Sequence, residues 1–298
     1  RVCLVKGWQW SREAEEAYRI ATYADYPSPE DAAEELDCVP KRGSGAYFSR
    51  MLVENCQAPD IPILRLAKPA EFVLDPARLA VAEAWCRDHL KPVLDRLPDG
   101  RRTALGQDFG RDGDLSGIVV YQEENPQLWP VRFVLEMRRI PFDVQQLVLF
   151  FIMDNLPLFH HGKFDSRGNG QGHAEAALQK YGPARVECVM LTAAWYAAWF
   201  PRYRRAYEDR SLRAPQGEDW IADHRQVVLH KGVPAMSDAR VKGSDGEFRH
   251  GDLAVAGVLG WAALREETAG PVEVSTSNLR LSPRLLAGYG ADAGFGGY

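Results

Sequence analysis

The stretch 158-LFHHGKFDSRGNGQGHAEAALQKYG-182 passes from an apolar run through one aspartate and a burst of glycines into a helical pattern. Its reading separates a nucleotide-binding fold from one that holds a carboxylate at a strand tip. A dinucleotide fingerprint needs G-x-G-x-x-G. Gly168 and Gly170 fill the first two positions, but the third is His173, and Gly172 falls one residue early. A Walker-type phosphate loop ends in Gly-Lys-Ser/Thr, and that ending is absent. What remains is a strand ending at Asp165, a tight turn, and a helix from near His173 that stops at Gly182. The plainer alternative is an ordinary strand–turn–helix connection with Asp165 as a cap.

On the N-terminal side stand three strands, TALGQDF, LSGIVVYQEE and VRFVLEMRRI, separated by turn-rich segments. The helix DVQQLVLFFIMDNL leads from them into the opening stretch. Beyond it, ARVECVML reads as a fifth strand and TAAWYAAWFPRYRRAYEDR as a long helix with Pro201 inside. GEDWIADHRQVVLHKG reads as another helix, DARVKGSDGEFRHG as a hairpin around Asp-Gly, and DLAVAGVLGWAALREE as an apolar helix. The order β-β-β-α-β-α-β-α predicts an α/β fold, a mixed sheet with helices on both faces, in the ribonuclease H-like order.

Upstream, SREAEEAYRIATYADY and SPEDAAEEL have helical spacing, opened by Ser11 and by Ser28 or Pro29. PKRGSGAYF reads as a glycine-rich turn. Residues 57–76, with four prolines, read as an extended linker. DPARLAVAEAWCRDHLKPVLDRL is an amphipathic helix with a kink expected at Pro92. The expected organisation is a mostly helical, loop-rich connecting segment over 1–98, the sheet domain over 99–270, and a loose tail over 271–298.

The 298 residues are 46% hydrophobic and 26% charged, ordinary for a globular protein able to bury a sizeable core. A net charge of -5 does not advertise nucleic-acid binding, although a local basic face is compatible with it. Cys3, Cys38, Cys56, Cys86 and Cys188 are scattered and show no C-x-x-C spacing. That argues against a zinc site or a disulfide framework, and for a reduced intracellular compartment. No signal peptide and no apolar run of membrane-spanning length appears, so no membrane partner is expected. The chain begins at Arg1 in mid-pattern, which predicts a piece of a longer protein.

Three aspartates carry the chemical reading. Asp108 lies on an apolar strand in 105-LGQDFGRDGDLSG-117, where a charge is costly unless paired or bound to metal. Asp112 and Asp114 follow it as turn formers, with an auxiliary role at the site as the alternative. Asp165 ends the strand of the opening stretch. Asp252 in 249-RHGDLAVAG-257 is placed to cap a helix, yet that helix is too apolar to face water, so Asp252 should point inward or along a cleft. Hard divalent cations prefer carboxylate oxygens. Two such ions about 4 Å apart can activate water and stabilise the leaving oxygen of a phosphodiester. No Ser-His-Asp or Cys-His arrangement offers a protein nucleophile.

The pieces LGQDFGRDGDLSGIVV, KFDSRGNGQGHAEAAL and FRHGDLAVAGVLGWAAL resemble the nuclease domain of tailed-phage large terminase subunits, especially the Mu-like group. Residues 28–54 resemble the segment that joins motor to nuclease in that family. The resemblance implies a ribonuclease H-like, metal-dependent DNA endonuclease cutting concatemeric viral DNA during packaging. It implies Asp108, Asp165 and Asp252 as catalytic and metal-binding carboxylates, with two Mg²⁺ or Mn²⁺ ions. Some terminases carry glutamate at the second position, where this chain has the shorter Asp165. His250 could position a phosphate or a water, or lie idle on the surface.

The implied partners are double-stranded DNA, the phage portal, the small terminase subunit and an ATPase motor domain of the same full-length chain, in the bacterial host cytoplasm. No Walker A motif occurs in these residues, so packaging ATPase activity is not expected of them. Arg202, Arg204 and Arg205, with Lys242 and Arg249 near the hairpin, are the expected DNA contacts, of a sequence-independent, salt-sensitive kind. Trp195 and Trp199, four apart on a helix, are expected in the core. Rival readings are a resolvase or ribonuclease H acting on another nucleic-acid structure, a non-catalytic module docking on the portal, and a nucleotide-binding glycine loop.

Overall fold

A computed structural model of the protein describes residues 7, 9–26, 29–39, 45–110, 115–168 and 170–265. The expected tail at 271–298, and Asp112 and Asp114, lie outside the described residues.

Helices α1 (Arg12–Ala24), α2 (Pro29–Leu36) and α3 (Arg50–Glu54) come first, and Ser11 caps α1 by accepting the Ala14 amide hydrogen. Strands β1 (Gln57–Ala58) and β2 (Ile63–Ala67) follow, then helix α4 (Arg78–Trp85), a π-turn over Cys86–Leu90, and α5 (Lys91–Leu94). The kink expected at Pro92 is taken up by that π-turn. Pro92 cannot donate to the Asp88 carbonyl, and a widened turn just before it accommodates the missing bond.

The three-strand meander is β3 (Thr103–Asp108), β4 (Ser116–Gln122) and β5 (Val131–Arg138). Then come α6 (Phe142–Asn155), β6 (Phe159–Asp165), α7 (Gly170–Tyr181), β7 (Val186–Val189) and α8 (Ala193–Glu208). The chain continues with β8 (Ala214–Pro215), α9 (Glu218–Arg225), β9 (Val227–His230), β10 (Val233–Met236), β11 (Val241–Lys242), β12 (Phe248–Arg249) and α10 (Asp252–Leu264).

Six strands form one mixed sheet in the order β2-β5-β4-β3-β6-β7. β4 runs antiparallel to both β3 and β5, and the other pairings are parallel. This is the ribonuclease H-like arrangement, extended by β2 at one edge. Side chains alternate between two cores. Ala104, Val119 and Tyr121 pack with α8, α9 and α10, whereas Leu105, Ile118 and Val120 pack with α4, α6 and α7. Every residue of β4 is buried, as a strand covered on both faces must be. α10 is buried along its whole length, because it lies between the sheet and the α8–α9 layer.

Two expectations are corrected here. Residues 57–76 are not a linker, since β2 lies inside them and pairs with β5 from Ile63↔Val134 to Ala67↔Arg138. The segment 57–98 therefore shares the sheet and its core rather than standing apart from them. The helix expected over 217–232 ends at Arg225, and the rest of that stretch forms β9 and the turn of the hairpin β9–β10. Lys231 and Gly232 turn it with φ of 51° and 82°, the left-handed pair a two-residue hairpin loop needs.

Candidate metal centre and the network beside it

β3 and β6 run side by side with Gln107 opposite Phe164. Asp108 and Asp165 are the next pair, on one face and about one strand spacing, ~4.8 Å, apart. Asp252 reaches the same edge from the first turn of α10. Asp108 faces Gly117 across β4, and a Cβ on Gly117 would meet Leu253 Cδ2 at 2.9 Å and the Asp252 carbonyl oxygen at 3.6 Å. The three carboxylates named from the sequence thus come from two strand tips and a helix start. Glycines permit the approach. A Cβ on Gly106 would stand 2.1 Å from the Gly260 nitrogen and 2.2 Å from the Ala256 carbonyl oxygen, so β3 and α10 touch backbone to backbone.

The electrostatics follow from burial. Burial, then the charges of Asp252 and Asp165, push the Asp108 carboxyl well above the usual carboxylate range, and Arg167 pulls the other way. Burial first, and Asp223 second, raise Asp252 to about 7. Like charges held out of water favour the proton over the bare carboxylate.

The opening stretch is neither a dinucleotide nor a Walker loop. It is a strand ending at Asp165, a four-residue connection and a helix from Gly170. Asp165 closes the turn on itself: Oδ1 accepts the Arg167 main-chain amide hydrogen at 3.1 Å, and both oxygens accept from the Arg167 guanidinium at 3.1–3.3 Å. Gly170 lets the first turn of α7 press against the Asp165 carbonyl, where a Cβ would sit 2.5 Å away. Among the described residues, no three His, Cys, Asp or Glu side chains are arranged to hold a metal ion as they stand. One carboxylate of the trio is engaged by an arginine.

His250 meets Asp252 through its main-chain amide, which donates to Oδ2 at 3.2 Å. Lys242 is exposed on the β11–β12 hairpin. That hairpin is tied to the carboxylate edge, since Arg138 at the end of β5 donates to Asp245 and to the Phe248 carbonyl.

Arg249 corrects an expectation. It is 1% exposed, and its guanidinium donates to both oxygens of Asp223 at 3.0 and 2.8 Å and to Glu136 at 2.9 Å. A buried guanidinium held by two carboxylates cannot reach a DNA phosphate. Arg202, Arg204 and Arg205 lie on the α8 surface, Arg204 and Arg205 paired with Glu208 and Asp209 one turn on. Arg202 and Arg205 line a cleft of about 320 Å³ with Trp261 and Arg265. Arg265 follows the last residue of α10, roughly 20 Å from Asp252 at about 1.5 Å per residue. The fold does not bring this cluster to the carboxylates.

Sequence reasoning missed the network that holds Asp252. Asp223 Oδ2 also accepts the Leu253 amide hydrogen at 3.0 Å, satisfying the first turn of α10. Glu136 accepts from Arg65 as well, and Asp219 accepts from Arg65 and Ser244. The available signal was Glu136 within an apolar strand, the same signal that singled out Asp108.

The chain's relatives are large terminase subunits of phages. Within that class the matches are Mu-like gp28 proteins. The chain is 38% identical over 262 residues to the probable terminase, large subunit gp28, of Escherichia phage Mu, covering 86% of this chain and 47% of that one. It is 35% identical over 258 residues to the Mu-like prophage FluMu protein gp28 of Haemophilus influenzae, covering 86% and 51%. The chain spans about half the length of these curated relatives.

Solved structures with similar backbones include the HK97 bacteriophage large terminase, at TM-score 0.48 and 11% identity over 84% of this chain and 50% of that one. Another is the large terminase nuclease from thermophilic phage G20c with bound magnesium, at TM-score 0.44 and 16% identity over 55% and 82%. No protein-family model matches the sequence.

Proposed function

We propose that the chain is the nuclease part of a Mu-like large terminase and cuts concatemeric viral DNA during genome packaging, using divalent cations held by Asp108, Asp165 and Asp252. The observation that carries this reading is the convergence of three carboxylates from distant sequence positions on one sheet edge, where burial and neighbouring carboxylates hold Asp108 and Asp252 above the usual carboxylate range and a cation would offset that cost. That donor set is all oxygen, the chemistry of Mg²⁺ or Mn²⁺.

When bound, such ions polarise the phosphoryl oxygens and acidify the attacking water. Asp108 and Asp165 would hold them from adjacent strand tips. Asp252 would complete the set, held in place by the Asp223 bond to the Leu253 amide. Lys242 on the hairpin would meet the DNA backbone. Double-stranded DNA is the proposed substrate. The portal, the small subunit and an ATPase motor on the same full-length chain are the proposed partners, in the host cytoplasm.

The test is cleavage of a plasmid with Mn²⁺, with Mg²⁺ and with chelator, beside Asp165→Ala. The expected outcome is metal-dependent cutting that falls by a factor of at least 10² in the variant, about 3 kcal/mol of transition-state stabilisation. Equal cutting by both proteins would refute the assignment of the centre.

A further inference from the structure

We propose that Arg167 is a built-in counter-ion of the carboxylate edge, which an incoming divalent cation must displace from Asp165. The inference rests on the metal reading above and deepens it.

Among the described residues, Asp165 is the most heavily hydrogen-bonded of the three carboxylates. One residue, Arg167, supplies it with its main-chain amide, its Nε and its Nη2. An ionised carboxylate offers about four lone-pair sites, so little room is left for an ion. Arg167 is also the cation acting on Asp108, through its charge. A single guanidinium thus offsets the charge of the two strand-tip carboxylates, while Arg249 acts on Asp252.

The arrangement is built to open. The Arg167 side chain is 46% exposed, against 9% for Asp165. It springs from the connection between β6 and α7, outside both elements, so the side chain can swing on its own rotatable bonds without disturbing either. A destination is present. The Tyr196 hydroxyl is buried beside the pair, close enough for the Arg167 guanidinium to act on it together with Asp108 and Asp165. Its oxygen can accept from a guanidinium released by Asp165. With Arg167 in place, no ready-made ion cage exists among the described residues. The bland alternative is a local pair that merely closes the turn, which would leave ion affinity untouched.

The experiment titrates Mn²⁺ alone into the chain by calorimetry, comparing the wild type with Arg167→Gln and Arg167→Lys, and records melting temperature with and without the ion. Removing the competing charge-assisted bonds should tighten Mn²⁺ binding about tenfold in R167Q. R167K, which keeps charge but loses the bidentate fork, should fall between. Without metal, R167Q should melt below the wild type, and saturating Mn²⁺ should close that gap. Unchanged or weaker Mn²⁺ binding in R167Q would overturn the counter-ion role and leave the metal centre standing. Absence of Mn²⁺ binding by all three proteins would overturn both.

Discussion

Asp223 joins two functions in one side chain. It neutralises the buried Arg249 and caps the helix that carries Asp252. Asp223→Ala leaves a buried guanidinium with one close partner, Glu136, and frees the Leu253 amide. The expected loss is about 3–5 kcal/mol of unfolding free energy, read from the urea midpoint. A shift under about 1 kcal/mol would show that Glu136 alone suffices.

His173 shows the opposite case. It is buried against Phe109, ring centroids 4.9 Å apart, and its Nε2 finds no partner among the described residues. Burial lowers its pKa to about 4, below an ordinary 6.5. The unfolded chain therefore takes up a proton that the folded chain refuses. Stability is intact above pH 6.5 and is lost as pH falls towards 4. Replacing His173 by Phe removes this burden and keeps the ring contact. The variant should match the wild type at pH 7.5 and exceed it by about 2 kcal/mol near pH 4.5, measured by denaturation at both values. His224, also buried and lowered to about 4, retains its own share of the acid sensitivity.

At the scale of elements, the crossing of β3 and α10 sets the height of Asp252 above the sheet. A methyl at position 106 would have to displace main chain on the helix, since both nearest atoms belong to its backbone. Gly106→Ala should cost about 3 kcal/mol or more, or abolish folding, as followed by circular dichroism during denaturation. Wild-type stability would mean that the helix can ride higher without loss.

The same scale shows what was legible. The five core strands and their order could be read because their apolar runs are long and bounded by turn residues. β2 was not, because a stretch with four prolines looks unpaired. Pro62 and Pro69 in fact bracket β2 (Ile63–Ala67) without interrupting it, as an edge strand permits. β9 was absorbed into a helix because the Lys-Gly turn that follows it lacks the usual Asn-Gly or Asp-Gly signal. At the site, the three aspartates were legible as charges in apolar settings. The Arg249–Glu136–Asp223 network was not, because its members lie as far as 113 positions apart and pairing is invisible in one sequence. For Arg249, an exposed-looking hairpin hid a buried side chain.

For the molecule as a whole, residues from Ile63 to Leu94 belong to the sheet and its core. β2 covers the edge of β5, and Leu66, Phe72, Ala82, Cys86, Leu90 and Leu94 belong to the core beneath α6. A fragment beginning at residue 99 should expose the β5 edge and that apolar layer, and so elute as aggregate in size-exclusion chromatography. A monodisperse, folded 99–270 fragment would contradict this.

The long separations between Asp108, Asp165 and Asp252 also bear on how the chain is born. During synthesis Asp108 and Asp165 emerge first, and their strands can pair while α10 is still inside the ribosome. Domains fold as their last contacts become available, and here the final described helix supplies both the third carboxylate and the floor of one core. A nascent chain therefore has neither its complete charge cluster nor a sealed interior until translation has passed Leu264. Assembly of the acidic edge is timed by the order of the codons.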